Sequence, residues 1–313
     1  MDFQPTQDQR DLRTGVRDLL AGRYDREALR ASVDRAADTG RSVDRALWRE
    51  LGEAGFFALR LPEDRGGVGL GLPEAVLVFE EAGRALLPGP LVATHLAAGL
   101  VAGAAEGEAV VTAFDLEGAL VAHLGEADAV LGADGEPVEP ADGYGAGEPV
   151  RSADPLTPLA RVSVPARPVA AGTYRDEGAL LTAALQLGSA LRTVELAVRY
   201  AKEREQFGQP IGAFQAVKHL CAQMLVRAEV ARTAVYAAAV TADPAEVAAA
   251  KLLADEAAVR NARDCLQVHG GMGFTWEADV HLHLKRAWVR AEQWRTAAQA
   301  QETLAAELLA AAE

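Results

Sequence analysis

The 313-residue sequence has few aromatic side chains and a shortage of positive charge. Aromatic residues make up 5% of the chain and apolar residues 50%, so the interior has to be built mainly from alanine, leucine and valine. This composition favours helices. The formal net charge of −14 argues against nucleic acid as a partner, since contacts to phosphates need an excess of lysine and arginine.

Cysteine, signal sequences and long apolar runs are also scarce or missing. Cys221 and Cys265 are the only cysteines, and both lie in apolar helical patterns. That position predicts buried free thiols in a reducing compartment rather than a disulfide. Residues 1–30 are too acidic and too interrupted for a signal peptide, and no apolar run reaches the roughly 18 residues of a membrane span. We therefore expect a soluble, cytoplasmic protein that does not contact a membrane.

The acidic residues are concentrated in one quarter of the chain. Residues 105–178 hold fourteen acidic and four basic side chains. Helical periodicity precedes this quarter and follows it, whereas short strand-like runs separated by Gly, Asp and Pro occupy it. We therefore predict a mostly α fold with a small β-domain: an N-terminal helical domain (1–108), a truncated β-domain (109–174) and a C-terminal four-helix bundle (175–313).

Capping residues and apolar spacing place the individual helices. In the first domain, Thr6 and Gln9 form a capping box, and helices are predicted over residues 7–21, 42–55, 73–87 and 92–104. In the bundle, two long helices with matching apolar seams meet at a turn, a third runs from Asp243 to about His269, and a fourth continues from about Asp279 toward Glu313.

The turn between the first two bundle helices carries the most distinctive local chemistry. Gly208, Pro210 and Gly212 end the first helix and leave Arg204 at its end, fixed by backbone on both sides. A guanidinium held this way can bind an anion through two parallel hydrogen bonds. The alternative is an ordinary helix corner with Arg204 in water.

His281 and His283 are the one histidine pair that could suggest a metal site. Their spacing of two residues puts the rings on different sides of a helix, so we predict no metal site and expect a solvated or partner-facing pair.

Three strings, in this order and at these separations, resemble the acyl-CoA dehydrogenase family. They are Trp48–Gly55 leading into Leu61–Gly69, then Arg204–Ile211 followed by Phe214-Gln215, and Gln267–Phe274. The resemblance covers nearly the whole chain and implies an acyl-CoA dehydrogenase-like fold. Members of the family bind FAD across a subunit interface: the β-domain of one subunit holds the isoalloxazine, and the bundle of its neighbour holds the adenosine–pyrophosphate end. The resemblance maps that second role onto Arg204, Gln206, Phe207, Gln267, Gly270 and Gly271.

Two departures from the family affect catalysis. The β-domain is short and lacks the Thr-Glu-Pro…Gly-Ser-Asp type of segment that lines the flavin ring, so we expect no isoalloxazine site in this chain. Trp294 stands where the family usually carries its catalytic glutamate, and Glu292 should point about 200° away on the same helix. In some relatives the base comes from the first bundle helix, at a position near Gly178, which leaves Glu177 as a weak candidate.

A chain that keeps one half of a shared flavin site resembles the diverged, non-catalytic subunit of heteromeric α2β2 acyl-CoA dehydrogenases, such as those of steroid side-chain degradation. The resemblance implies a longer partner subunit that supplies the glutamate, an acyl-CoA substrate that is α,β-dehydrogenated, and an electron-transfer flavoprotein as acceptor. A self-sufficient homomeric dehydrogenase that uses Glu177 is one alternative. A flavin-free scaffold subunit is the other.

Overall fold

The N-terminal part of the chain is helical, as predicted. The structure is a computed structural model, and it describes residues 4–131, 137–138, 147–163 and 173–310. Its helices are α1 (Gln7–Arg23), α2 (Arg26–Thr39), α3 (Arg45–Glu53), α4 (Leu72–Arg84) and α5 (Leu91–Ala97). The Thr6–Gln9 capping box begins α1.

Two details of this helical part differ from the prediction. The sequence pattern missed α2, which buries only Leu29, Ser32 and Val33 and therefore shows little apolar periodicity. Its start is nevertheless marked by Asp25, whose carboxylate accepts a hydrogen bond from the Ala28 amide at 3.0 Å. The helix predicted over residues 92–104 ends at Ala97.

Short strands follow in two small sheets. The strands are β1 (Val111–Ala113), β2 (Leu120–Ala122), β3 (Ala129–Leu131), β4 (Pro137–Val138), β5 (Glu148–Val150) and β6 (Leu159–Arg161). One sheet has the order β1-β3-β4, with β1 and β3 parallel, and the other has the antiparallel order β2-β6-β5. The sheets pack against helices, because so small a unit has little core of its own. Thr94 of α5, for example, forms two hydrogen bonds of 3.0 Å with the backbone of Val111.

The C-terminal part is the predicted bundle, built from α6 (Thr173–Glu203), α7 (Gln215–Thr241), α8 (Pro244–His269), α9 (Val280–Glu292) and α10 (Ala297–Ala310). The fourth helix is not continuous as predicted. It breaks after Glu292, where Gln293 is extended and Trp294 has a left-handed backbone with φ of 63°. The division of the chain into domains at residues 108 and 174 stays a prediction.

Helices α4 and α6 join the N-terminal part to the bundle through a close backbone contact. A Cβ atom on Gly83 would lie 2.0 Å from the Leu185 carbonyl oxygen, and one on Gly188 would lie 1.8 Å from the Glu80 carbonyl oxygen. Each helix therefore needs glycine where the other crosses it. This contact sets the position of α6, which carries Gly178 near its start and leads directly into Arg204 at its end.

The prediction that the histidine pair on α9 is solvated or faces a partner is wrong. His281 and His283 are 8% and 4% exposed, because α9 packs both rings against neighbouring elements. His281 stacks on Trp276, and His283 contacts Ser189 of α6. Cys265 is a buried free thiol and Cys221 a half-buried one.

Two features are absent from the part of the chain that the structure describes. Its side chains form no cluster of three or more His, Cys, Asp or Glu residues with metal-binding geometry. None of its helices combines the length and the apolar character needed to cross a bilayer.

Candidate functional site

Arg204 lies directly after α6, at the base of a two-residue hairpin. Strands β7 (Glu205–Gln206) and β8 (Gln209–Pro210) pair across a turn formed by Phe207 and Gly208, both with positive φ. The Arg204 amide donates to the Tyr200 carbonyl at 2.8 Å, and the Arg204 carbonyl accepts from the Ile211 amide at 2.7 Å. The backbone on both sides of the arginine is thus held, as the sequence predicted.

The second predicted cofactor segment follows α8. Gly270 has φ of 60° and ψ of −141°, a backbone conformation that is essentially restricted to glycine. Gly271 has open space where a Cβ would be, so another molecule can approach its backbone closely. Gln267 is exposed on the last turn of α8.

A stacked pair of rings brings these two segments together. Tyr200, one turn before Arg204, stacks on His269, the residue before Gly270, with centroids 4.1 Å apart and planes at 23°. The Nδ1 atom of His269 lies 2.8 Å from the Cys265 carbonyl oxygen, which fixes the ring orientation. Neither ring was predicted as part of the site, although His269 lies within the Gln267–Phe274 string and Tyr200 lies one turn before the Arg204–Ile211 string.

The predicted contact residues share a chemistry suited to the ADP end of FAD. Arg204, Gln206, Phe207, Gln267, Gly270 and Gly271 are all exposed, and Phe207 is 93% exposed on its strained turn. Among described residues, the Arg204 side chain forms no hydrogen bond or ion pair. An unpaired guanidinium, glycine amides and an exposed ring can together neutralise and contact a nucleotide diphosphate.

Trp294 occupies the other candidate half-site and fills it. The side chain is 3% exposed, and a Cβ on Gly178 would lie 2.3 Å from the indole ring. The two positions from which the family resemblance draws a catalytic base therefore face each other, one as glycine and one as tryptophan. The prediction that Glu292 points about 200° away from Trp294 assumed one continuous helix. Because α9 ends at Glu292, the two residues do not share a helix.

The space left beside Trp294 is too small for a flavin ring. A cavity of about 30 Å³ is lined by Trp294, Asp115, Thr182, Arg290 and His123, together with neighbouring residues. Ligand pockets typically measure about 300–1,000 Å³. A cavity of this size can hold a water molecule but no aromatic ring system, so the described residues around Trp294 do not fit an isoalloxazine.

Asp115 holds the turn that carries Trp294. Its backbone carbonyl accepts from the Trp294 amide at 2.6 Å, and its carboxylate Oδ2 accepts from Gln293 Nε2 at 2.8 Å. The residue as a whole is only half-buried, but its Oδ1 atom has neither solvent nor a partner among described residues. Burial raises the pKa of Asp115 to about 7, although hydrogen bonds partly oppose the shift.

The raised pKa of Asp115 makes the stability of the chain pH-dependent. Between about pH 4 and pH 7 the folded chain holds a proton that the unfolded chain has released, so the free energy of unfolding falls as pH rises through this range. We expect Asp115→Asn to remove this contribution. The stability of the wild type relative to Asp115→Asn should drop by about 2–3 kcal/mol from pH 5 to pH 8 in urea denaturation. A pH-independent difference would contradict this assignment.

Glu177 faces a different cavity. Its Oε2 atom lies 2.5 Å from Nη1 of Arg60, and the pair lines a cavity of about 320 Å³ together with Tyr174, His95 and Leu96. Trp294 does not line this cavity. The carboxylate is therefore paired with an arginine and directed away from the Trp294 side of α6, a geometry that does not favour Glu177 as a catalytic base.

Comparisons with known proteins bear on the family and the fold of the chain. The profile of the acyl-CoA dehydrogenase N-terminal domain matches residues 6–108, and that of the C-terminal domain matches residues 169–301. Acyl-CoA dehydrogenase IpdE2 of Mycobacterium tuberculosis is 38% identical over 295 residues, which cover 90% of this chain and 92% of IpdE2.

Two solved structures resemble the whole chain. A chain of the ChsE4–ChsE5 complex from Mycobacterium tuberculosis superposes with a TM-score of 0.83 at 26% identity and covers 99% of both chains. A chain of the Tcur3481–Tcur3483 steroid ACAD, solved as a variant, gives a TM-score of 0.83 at 26% identity, with 98% of this chain and 99% of that chain covered.

Proposed function

This chain belongs to the acyl-CoA dehydrogenase family, and we propose that it is the non-catalytic subunit of a heteromeric, FAD-dependent member. In this proposal, Arg204, Gln206, Phe207, Gln267, Gly270 and Gly271 contact the ADP end of an FAD. A longer partner subunit, in an α2β2 assembly, holds the isoalloxazine and supplies the catalytic glutamate.

One contrast within the chain carries the proposal. The segments suited to the ADP end are exposed and positioned by the Tyr200–His269 stack, whereas the place for a base and a flavin ring is filled by Trp294 on Gly178. A subunit that bound its own complete flavin would need both halves. The likeness to chains of ChsE4–ChsE5 and of the Tcur3481–Tcur3483 steroid ACAD supports a heteromeric assembly.

The chemistry of the reaction explains why a partner is needed. α,β-Dehydrogenation of an acyl-CoA requires a carboxylate that removes the α-proton, placed within hydrogen-bonding distance and shielded from water. The bound flavin would supply the acceptor for the hydride that leaves the β-carbon. An indole cannot accept the proton, and Glu177 is paired with Arg60, so the base has to come from the partner.

The relatives and the family resemblance support a substrate class and an electron acceptor. We propose a bulky acyl-CoA, in particular a steroid side-chain CoA thioester, because a steroid ACAD is among the structures with the same fold over the whole chain. Electrons would pass from the flavin to an electron-transfer flavoprotein, as the family resemblance implies.

Expression of this chain with and without a longer acyl-CoA dehydrogenase tests the proposal. We expect the chain alone to purify without flavin absorbance near 450 nm and without dehydrogenase activity, and the co-purified complex to contain FAD and oxidise acyl-CoA. A yellow, active homo-oligomer of this chain alone would overturn the subunit role. A complex whose FAD content does not depend on this chain's ADP-end residues would instead indicate a scaffold.

A further inference from the structure

A cleft between the N-terminal helices and the bundle gathers five arginines. Arg17 of α1, Arg26 of α2, Arg84 of α4, and Arg192 and Arg199 of α6 line a space of about 480 Å³. We call this space the arginine cleft. Its volume lies within the range of small-molecule pockets. The walls between the guanidinium groups are apolar and include Leu20, Leu29, Leu86 and Leu196.

The acids that line the arginine cleft are already engaged. The Asp25 carboxylate caps α2 through the Ala28 amide. Glu81, whose side chain is 1% exposed, accepts two hydrogen bonds from Arg17 at 2.8 and 2.6 Å. The Asp279 carboxylate is shared between Arg26 and a further arginine, Arg30.

The guanidinium groups of α4 and α6 consequently outnumber the carboxylates that remain to pair with them. Arg84 and Arg192 share the carboxylate of Glu195, at 2.6 and 3.1 Å, and Arg84 also lies 3.9 Å from Glu81, which Arg17 already engages. Arg199 is exposed and has no hydrogen bond or ion pair with any described residue. Among described residues, the cleft thus holds more guanidinium groups than carboxylates to pair with them, in a chain whose net charge is −14. Such a concentration attracts anions of more than one charge.

A buried histidine adds a directed hydrogen-bonding group. His283 of α9 lines the cleft but is only 4% exposed, and its Nδ1 atom lies 2.8 Å from the Ser189 hydroxyl. Burial, and then the charges of nearby arginines that include Arg192 and Arg84, lower the pKa of His283 to about 3, so the ring is neutral. The Ser189 hydroxyl engages Nδ1, and Nε2 has no hydrogen-bond partner among described residues.

We propose that the arginine cleft is a second anion site of this chain, separate from the ADP-end residues, and that it binds a nucleotide-sized phosphate ester. Arg84, Arg192 and Arg199 offer planar, paired donors that match phosphate oxygens. His283 lines the same cleft with a ring nitrogen that has no partner among described residues. The leucine side chains of the walls contact the organic part of the ligand. The proposal does not depend on the subunit role proposed above.

Calorimetry on the full chain carrying Arg204→Ala, which removes the ADP-end arginine, tests the site. We expect ADP and coenzyme A to bind with a one-to-one stoichiometry and adenosine, which lacks phosphate, not to bind. The double variant Arg192→Ala/Arg199→Ala should weaken binding about tenfold or more, as for loss of charged hydrogen bonds. Arg41→Ala, which removes an exposed arginine that does not line the cleft, should leave the dissociation constant unchanged.

The outcomes separate the possible sources of the phosphate. Tighter binding of coenzyme A than of ADP would assign the site to a CoA-type ligand, and equal binding would assign it to nucleotides in general. Binding that is indifferent to the double variant, or inorganic phosphate bound as tightly as ADP, would overturn the proposal. If the double variant does not fold, Arg199→Ala alone decides, because this exposed side chain supports no other described residue.

Discussion

Replacing Trp294 by glutamate is expected to destabilise the chain by about 4 kcal/mol without giving it dehydrogenase activity. The substitution removes a buried indole, for which truncation costs about 3–5 kcal/mol. It also places a carboxylate in the small cavity beside Asp115, whose own carboxylate already has an unpaired oxygen. Burying an unpaired carboxylate there, next to an acid whose own pKa is already raised by burial, adds to the cost. The residue identity typical of the family therefore does not suit this chain.

Thermal unfolding and flavin analysis measure this effect. We expect the melting temperature of Trp294→Glu to fall by about 10 °C, given the usual relation between stability and melting temperature. Trp294→Phe keeps an aromatic ring over Gly178 and should lose much less, which makes it the matched control. If Trp294→Glu were as stable as the wild type and bound flavin on its own, the filled half-site would have been assigned wrongly.

Replacing Arg204 by alanine is expected to remove most of the FAD from the co-purified complex. The arginine is held by backbone bonds on both sides and has no protein partner among described residues, so its guanidinium is free to contact a diphosphate. Loss of a charged hydrogen-bonding group costs about 1.5–3 kcal/mol. That cost corresponds to roughly a ten- to hundredfold weaker retention of FAD. The folded state should be unaffected, because the side chain is exposed.

The control for Arg204→Ala is Lys202→Ala. Lys202 is an exposed cation on the last turn of α6, so the variant removes an equal charge from the same helix end. We expect it to retain FAD, as measured by absorbance after gel filtration and by the rate of FAD loss on dilution. Equal flavin loss in both variants would indicate a general electrostatic effect rather than a contact by Arg204. Unchanged FAD in Arg204→Ala would contradict the ADP-end role.

The positions of the proposed ADP-end residues were predictable because their signals are local. Gly208 and Pro210 end the periodic helix α6, and Asp243 caps α8, so the positions of Arg204 and of the segment after His269 could be read from short windows. The seam of α7 was predictable for the same reason, and Met224, Ala228 and Val235 are indeed buried.

The filled half-site could not be derived in the same way. The continuous helix predicted through Trp294 is wrong because the Asp115 carbonyl, 179 residues away in the chain, binds the Trp294 amide and stabilises a left-handed backbone there. Helical periodicity contains no information about such a contact. The same holds for the burial of His283, which depends on α6 and on the arginines around it.

The sequence by itself determined the mostly helical architecture, since caps, turn glycines and apolar periods act within a few residues. Three sequence strings carried the resemblance to the family, and that resemblance implied the residues of the proposed ADP end. Tertiary structure alone decided that Trp294 packs on Gly178, that Glu177 pairs with Arg60, and that five arginines surround one cleft. Each of these depends on which distant segments meet, and that is set by the packing of whole helices rather than by local preference.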